Sequence, residues 1–397
     1  MKICLITNLY PPYSRGGAEY VVFKTVKGMA ENGHKVVVIT TSPDGESDEI
    51  FGNISVYRFK PRNFFFYTQA HKHSAFMRFL WHIADMFHFG SARYIKRILQ
   101  KAKPDVVHTH NLMGIGFLIP AVIRKMKIKH LHTVHDVQLV EPSGIILKLK
   151  EKDWRYNGLP TKIYTWLMKK LIGSPDVVIS PSQFLLDFYS DRGFFEKSKK
   201  VMLRNPVTTD QTDSGRYPRG QISFLYLGQI EKHKGINFLI ESFIELCQEK
   251  NIRAELHIAG DGSEFENIKK MSQGYGNIIM HGKVDRTELP KLFKEADMTI
   301  VPSLCYENSP TVIFESLSFG APVLASRVEG IVELIREGDN GLTFQTGDKE
   351  SLKQRIMWCL DNKEKLEEMS GKTIKPLAGL SQDDYIRELN RLYNIGI

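Results

Sequence analysis

Two glutamates bracket the most chemically suggestive run of this 397-residue chain, Glu307-Asn308-Ser309-Pro310-Thr311-Val312-Ile313-Phe314-Glu315. The run reads as a loop turning into a helix, with Ser309 expected as N-cap, Pro310 as the first helical residue and Gly320 as the stop. Thr311, Val312 and Ile313 would then present free backbone amides at the positive end of a helix dipole, a ready place for a phosphate. Glu307 on the loop and Glu315 on the second turn reach in from opposite ends toward ligand hydroxyls. A diphosphate flanked by sugars has that shape; an ordinary capped helix with two surface glutamates also fits the spacing.

Other loops that follow strands add to this. Gly228-Gln229-Ile230-Glu231-Lys232-His233-Lys234-Gly235 joins a strand to a helix and supplies Lys234 as a cation and Gln229 as a donor, a possible clamp for a diphosphate. It has neither the P-loop spacing nor G-x-G-x-x-G, which weakens ATPase and dehydrogenase readings. Gly260-Asp261-Gly262 and Gly282-Lys283-Val284 expose main chain that can pair with the edge of a nucleotide base, or they are simple turns. Near the N-terminus, Gly16 and Gly17 stand where a helix begins, so backbone can approach a ligand there; a tight turn would look the same.

Histidines gather at the ends of the first strands: His108, His110, His130, His132 and His135, the last followed by Asp136. The spacing of His108 and His110 puts both on one face of a strand, one way to make a metal site. No H-E-x-x-H is present, and His135 beside Asp136 is expected to offer a hydrogen-bonding imidazole. No D-x-D is present either, so the expected chemistry uses no metal and no cofactor, leaving positive groups and helix dipoles to stabilise a leaving diphosphate.

The elements that must position these residues alternate between strand and helix. Lys2–Asn8, Ala18–Asn32 and Lys35–Thr41 form a βαβ unit. Short apolar strands at Asp105–His110, His130–Val134 and Asp176–Ile179 indicate a parallel sheet covered on both faces. The polar stretch Thr208–Gln221 reads as a linker. A second alternation begins at Ile222–Leu227 and continues through helix Ile236–Lys250, strand Glu255–Ala259, helix Glu264–Gln273, strand Ile278–Met280, helix Glu288–Ala296 and strand Met298–Val301. The expected fold is α/β, with two doubly wound Rossmann-like domains, 1–205 and 206–379, facing across a cleft.

Composition fits two domains, since the length exceeds one comfortable core and 42% of residues are hydrophobic. Cys4, Cys247, Cys305 and Cys359 lie far apart, against a disulfide framework. No signal peptide is legible and no apolar run approaches the ~20 residues of a spanning helix, so a cytoplasmic protein is expected, one able to lie at the inner face of the cell membrane. Net charge is +9, unevenly spread: residues 1–205 hold 31 Lys and Arg against 16 Asp and Glu, and the remainder 23 against 29. The basic half suggests an anionic partner. No aromatic–basic RNA signature or DNA-reading motif is present, so no nucleic acid is expected.

Taken together, the motifs resemble GT-B glycosyltransferases of the large retaining family 4. The resemblance spans nearly the whole chain and rests on Gly16-Gly17-Ala18-Glu19, Asp105-Val106-Val107-His108-Thr109-His110-Asn111, Thr133-Val134-His135-Asp136, the Gly228–Gly235 loop, Gly260-Asp261-Gly262 and the E-x7-E segment Glu307–Glu315. It implies transfer of a sugar from a UDP- or GDP-linked donor. Gly16 and Gly17 would lie against the donor phosphates, Lys234 would neutralise the diphosphate, Glu307 would contact the donor sugar, Glu315 the ribose hydroxyls and His135 the sugar. The amides of Asn308, Ser309, Thr311 and Val312 would line the phosphate and sugar. Gln229 stands where the family often has Arg, which removes one cation. The resemblance further implies that 1–205 is the acceptor side, joined by a C-terminal helix at 380–397, that 206–379 is the nucleotide-sugar side, and that the reaction proceeds with retention through a front-side, oxocarbenium-like path.

The acceptor side offers Asn63–Arg97, with Phe64, Phe65, Phe66, Tyr67, Phe76, Phe79, Trp81, Ile83 and Phe87 among basic residues. It fits either a membrane-facing amphipathic surface or a core helix. A lipid-linked or saccharide acceptor in surface polysaccharide or glycolipid synthesis is the expectation. A sugar-nucleotide epimerase of the same architecture and a histidine-cluster metallohydrolase are the alternatives.

Overall fold

A computed structural model describes residues 1–14, 16–209, 220–250 and 252–395, with the backbone alone at His71. Arg15 of the Gly-Gly loop and most of the expected linker lie outside the described residues.

Two compact units divide the chain. The first comprises Met1–Ile145, Asp153–Asn205 and Gln382–Ile397; the second comprises Ile146–Lys152 and Pro206–Ser381. In the first, the elements run β1 (Lys2–Ile6), α1 (Gly17–Glu31), β2 (Lys35–Thr41), β3 (Ser47–Phe51), β4 (Ile54–Phe59), α2 (Ala75–Met86), α3 (Phe89–Ala102), β5 (Val106–Thr109), α4 (Ile119–Met126), β6 (Lys129–Thr133), α5 (Trp154–Asn157), α6 (Leu159–Ile172), β7 (Val177–Ser180), α7 (Gln183–Ser190) and β8 (Lys199–Met202). The sheet order is β3-β4-β2-β1-β5-β6-β7-β8, parallel except for the β3–β4 hairpin. The sequence reading omits β3 because Ser47-Asp48-Glu49-Ile50-Phe51 lacks an apolar face; charges are tolerated there because the strand is an edge.

The second unit runs β9 (Ile222–Leu227), α8 (Ile236–Lys250), β10 (Ala254–Ala259), α9 (Phe265–Met271), β11 (Ile278–Gly282), α10 (Leu289–Glu295), β12 (Met298–Val301), α11 (Thr311–Ser318), β13 (Val323–Ser326), β14 (Gly341–Phe344), α12 (Lys349–Asp361) and α13 (Lys363–Ser370). Its parallel sheet has the order β11-β10-β9-β12-β13-β14. The core packs Phe224, Leu256, Ile258 and Ile300 of the sheet against Leu239, Ile240 and Phe243 of α8. The last helix, α14 (Gln382–Asn394), packs on α1 of the first unit, with Ile386, Leu389 and Tyr393 buried among the strands' residues.

In each sheet the order in which strands are added reverses once, between β1 and β5 and between β9 and β12. At such a switch point the loops leaving the two central strands diverge, and open α/β sheets bind ligands there. In the first unit Asn8 ties the two loops, its N–H bonding Asn111 C=O at 3.0 Å and its Nδ2 bonding Met113 C=O at 3.0 Å. In the second, Leu304 N–H bonds His233 C=O at 2.9 Å. Gly235, at φ +77, lies so close to the β12 loop that a Cβ would stand 1.9 Å from the Pro302 carbonyl oxygen.

Candidate active site

The second unit's switch point collects most of the donor-binding residues expected from sequence. Lys234 extends from the β9 loop and donates to Glu307 Oε1 at 2.6 Å, and Ser303 Oγ donates to the same oxygen at 2.7 Å. Burial alone would pull the Lys234 ammonium's pKa down; the Glu307 carboxylate outweighs it and the net shift is upward. Lys234 therefore stays charged. Gly330, at φ +81, packs beneath the Glu307 loop so tightly that a Cβ would stand 2.1 Å from the Glu307 carbonyl oxygen and 2.4 Å from that of Asn308. Backbone against backbone fixes the height of Glu307 and Asn308.

The helix after this loop differs in detail from expectation. α11 starts at Thr311, and Pro310, extended at φ −62 and ψ 119, occupies the cap position that the sequence reading assigns to Ser309. The Pro310 carbonyl accepts the Ile313 N–H at 3.1 Å, so that amide is not available to a ligand, whereas Thr311 and Val312 make no backbone bond to their amides among the described residues. Ser309 and Asn308 lie on the loop, both nearly buried. The helix closes at Gly320 as expected: Gly320 N–H bonds Leu317 C=O at 3.2 Å and Ala321 N–H bonds Ser316 C=O at 3.0 Å.

Glu315, only 3% exposed, receives Thr208 Oγ1 at 2.7 Å and Arg286 Nη1 at 3.0 Å, both on Oε1. Neither partner carries a signal in the sequence. Thr208 follows the crossing between units at Asn205-Pro206, and Arg286 stands two residues past Val284 in the loop after β11. Beside it, the β9, β10 and β11 loops are laced by backbone bonds. Gly228 N–H meets Ala259 C=O at 3.1 Å, Ile230 N–H meets Asp261 C=O at 2.9 Å, and Gly260 N–H meets Gly282 C=O at 2.7 Å. Gln229 is half-buried at this rim, its carbonyl accepting Tyr226 OH at 2.6 Å.

A segment from the first half of the chain also joins this unit. Ile146–Lys152 lays Leu147 antiparallel to Cys305, with Lys148 N–H on Leu304 C=O at 2.8 Å and Tyr306 N–H on Ile146 C=O at 2.9 Å. Lys148 Nζ bonds Glu151 at 2.8 Å and also pairs with Glu329, next to Gly330. The strap thus props both sides of the Glu307 loop. Cys305, its thiol pushed up to about 12 chiefly by burial, is no nucleophile there.

His135, Gly16 and Gly17 belong to the first unit, at its own switch point. His135 Nε2 lies 3.0 Å from His110 Nδ1, and burial pushes its pKa down to about 4, so it is a neutral imidazole. His108 is occupied at both nitrogens, by Tyr393 OH at 2.8 Å and Thr133 Oγ1 at 2.7 Å; His130 Nε2 and His132 Nδ1 share Thr109 Oγ1 at 2.8 Å each. Among the described residues, no three His, Cys, Asp or Glu side chains converge as a metal-ligand group. Of the two that the spacing places on one face, His108 thus links β6 to the last helix, and His110 meets His135 beyond the strand ends. Gly16 is extended, at φ −162, and its N–H bonds Glu19 Oε2 at 3.0 Å. Gly17 opens α1.

Two family models match the chain in succession, "Glycosyltransferase Family 4" over residues 15–211 and "Glycosyl transferases group 1" over 208–375. A protein of the cps region of Klebsiella pneumoniae, uncharacterized, is 26% identical over 342 residues, covering 85% of this chain and 88% of its own length. Among solved structures, sucrose-phosphate synthase from Thermosynechococcus elongatus superposes with a TM-score of 0.76 at 18% identity, covering 99% of this chain and 98% of that one. Anabaena HepE, solved in complex with UDP-glucose, has a TM-score of 0.71 at 12% identity, covering 99% of each chain. With two parallel-sheet α/β units, a strand-end site at the switch point of the second and family models spanning nearly all of its length, the chain belongs to the group 1 glycosyltransferases of GT-B fold.

Proposed function

We propose that the protein moves a sugar from a UDP- or GDP-linked donor to a lipid-linked or saccharide acceptor in surface polysaccharide or glycolipid synthesis, with retention of configuration and without a metal. The observation that carries this is the pairing of Lys234 with Glu307 at the mouth of the second sheet, beside the open amides of Thr311 and Val312. One N–H of the Lys234 ammonium bonds Glu307, leaving two for diphosphate oxygens. The helix start adds its dipole to the same negative charge. As the bond from the anomeric carbon breaks, its electron pair leaves with the diphosphate and Lys234 stabilises it. The acceptor hydroxyl oxygen forms the new bond on the same face and its proton passes to the departing phosphate. Glu307 holds the donor sugar, the loops at Gly260 and Val284 hold the base, and neutral His135 donates or accepts a hydrogen bond on the sugar. HepE's complex with UDP-glucose supports a UDP-linked donor on this fold.

For the acceptor, the support is the exposed apolar and basic residues of helices in the first unit. Phe76, Phe79 and Ile83 of α2 stand exposed, as do Leu159, Ile163 and Trp166 of α6 and Trp154 just before it. Within α2, α3 and α6, the acid is Asp85, which is buried, while Arg78, Arg93, Lys96, Lys162 and Lys170 are exposed. Buried Trp81 and Met86 show that the aromatic segment serves both core and surface. Exposed aromatics among lysines and arginines suit an anionic leaflet. No helix among the described residues is long and apolar enough to cross a membrane.

Incubation with UDP- and GDP-sugars and lipid-linked acceptors, followed by NMR of the product's anomeric centre, tests the reaction. Transfer with the donor's configuration is expected; conversion of donor alone into an epimer, or inversion, contradicts it. For the membrane face, binding to phosphatidylglycerol vesicles that weakens with salt and falls in Trp166→Ser/Phe79→Ser is expected. Equal binding to neutral vesicles, or none at low salt, contradicts it.

A further inference from the structure

The two glutamates are held in the same way. In Glu307 a cation and a hydroxyl, Lys234 and Ser303, both donate to Oε1; in Glu315 a cation and a hydroxyl, Arg286 and Thr208, again both donate to Oε1. Neither Oε2 accepts a hydrogen bond among the described residues. A carboxylate with one oxygen fully engaged cannot rotate to present it, so each side chain is left with one oxygen, of fixed direction, for a ligand hydroxyl.

For Glu307 the cation has a second task on the diphosphate. Arg286 has no such task assigned, stands on the loop that follows Val284 and keeps 41% of its side chain exposed although its guanidinium reaches a carboxylate that is nearly buried. A nearly buried carboxylate is costly without a positive partner, and Arg286 supplies one at Oε1. Thr208 supplies the second constraint, from the strand of chain that enters the unit and is itself fixed by the Val207 N–H bond to Leu380 C=O at 2.8 Å.

We infer that Arg286 and Thr208 are positioning residues for ribose recognition: together they occupy Oε1 of Glu315, so that its Oε2 accepts from the ribose hydroxyls of a nucleoside diphosphate. The inference rests on the glycosyl-transfer reading for the presence of that nucleotide. It makes the discrimination between ribose and deoxyribose at Glu315 depend on two residues outside the E-x7-E segment.

The test is calorimetric titration of the full chain with UDP, GDP and ADP and with the 2′-deoxy and 3′-deoxy form of each. Wild type should prefer the ribonucleotide that it binds over at least one deoxy form by about 10- to 100-fold, the worth of a hydrogen bond to a charged group. In Arg286→Ala and Thr208→Val that ratio should shrink by about fivefold or more, with donor KM raised and kcat at saturation nearly unchanged, because the bond is made equally in ground and transition states. Arg286→Lys, which keeps the charge but not the planar fork, should recover part of the ratio. A merely structural role would lower the melting temperature, or weaken ribo and deoxy forms alike, and leave the ratio intact; an unchanged ratio in folded variants overturns the inference. Failure of wild type to bind any of the three diphosphates contradicts the glycosyl-transfer reading itself.

Discussion

Lys234 and Glu307 form a pair whose members have different tasks, and substitution should reveal them. In the proposed reaction Lys234 stabilises charge that grows as the diphosphate leaves, so Lys234→Ala should lower kcat on the order of 10²-fold or more. Glu307→Ala removes the proposed sugar contact and also frees the lysine, with a loss of similar order expected. Both readouts come from initial rates of nucleotide release, and wild-type turnover in either variant removes that residue from the mechanism. Both glutamates and the lysine stand out as candidates in the sequence alone, because a Pro-started helix and a strand-to-helix loop carry local signals. Their partners Ser303, Thr208 and Arg286 were illegible: each acts through a contact far along the chain from Glu307 or Glu315, or within an unremarkable loop. The misplaced cap has a local cause. Ser309 has the right side chain, but Pro310 adopts an extended ψ that its ring permits and starts the helix one residue later.

At the scale of elements, the alternation of strands and helices was legible wherever apolar runs were short and bounded by glycine or polar residues; strand Ile222–Leu227 and helix Ile236–Lys250 have the bounds expected. The strap Ile146–Lys152 was not. Ile145-Ile146-Leu147-Lys148-Leu149-Lys150 has no turn signal to announce that it leaves one unit to pair with another. Its bonding pattern makes Leu147 and Cys305 a non-hydrogen-bonded antiparallel pair, the kind whose side chains approach most closely. Lys148→Ala would release Glu151 and Glu329 together and loosen the loop that carries Glu307. Because small misplacements of a reacting group are costly, kcat should fall about tenfold while donor affinity holds. Unchanged kcat would show that the loop is fixed by Gly330 alone.

For the whole molecule, the buried histidines and the buried Asp85 make opposite demands on pH. Burial pushes His108 and His132 down to about 3. In the unfolded chain they would titrate near 6.5, so the unfolded state takes up protons first and stability, intact above about pH 6.5, is lost as pH falls toward the folded values. Between pH 7 and 5 the expected loss is about 2 kcal/mol for each such histidine. Asp85 runs the other way: burial raises it to about 8, so its contribution is unfavourable above its unfolded value near 4 and grows as pH rises toward 8. With more histidines than such acids in this core, melting temperature should rise from pH 5 to 7, and His132→Asn should flatten the rise. An identical slope in that variant would mean that the histidine titrates normally.

Everything proposed for this protein depends on the second unit binding a nucleoside-diphosphate sugar through Lys234, Glu307 and the start of α11. The most direct measurement is a thermal-shift titration with UDP, GDP, ADP and their sugar conjugates, with and without EDTA. Selective stabilisation by one nucleotide is expected, worth about 2.7 kcal/mol at 100 times its Kd, unchanged by EDTA and lost in Lys234→Ala. No shift with any nucleotide, or a shift that vanishes with EDTA, would contradict it.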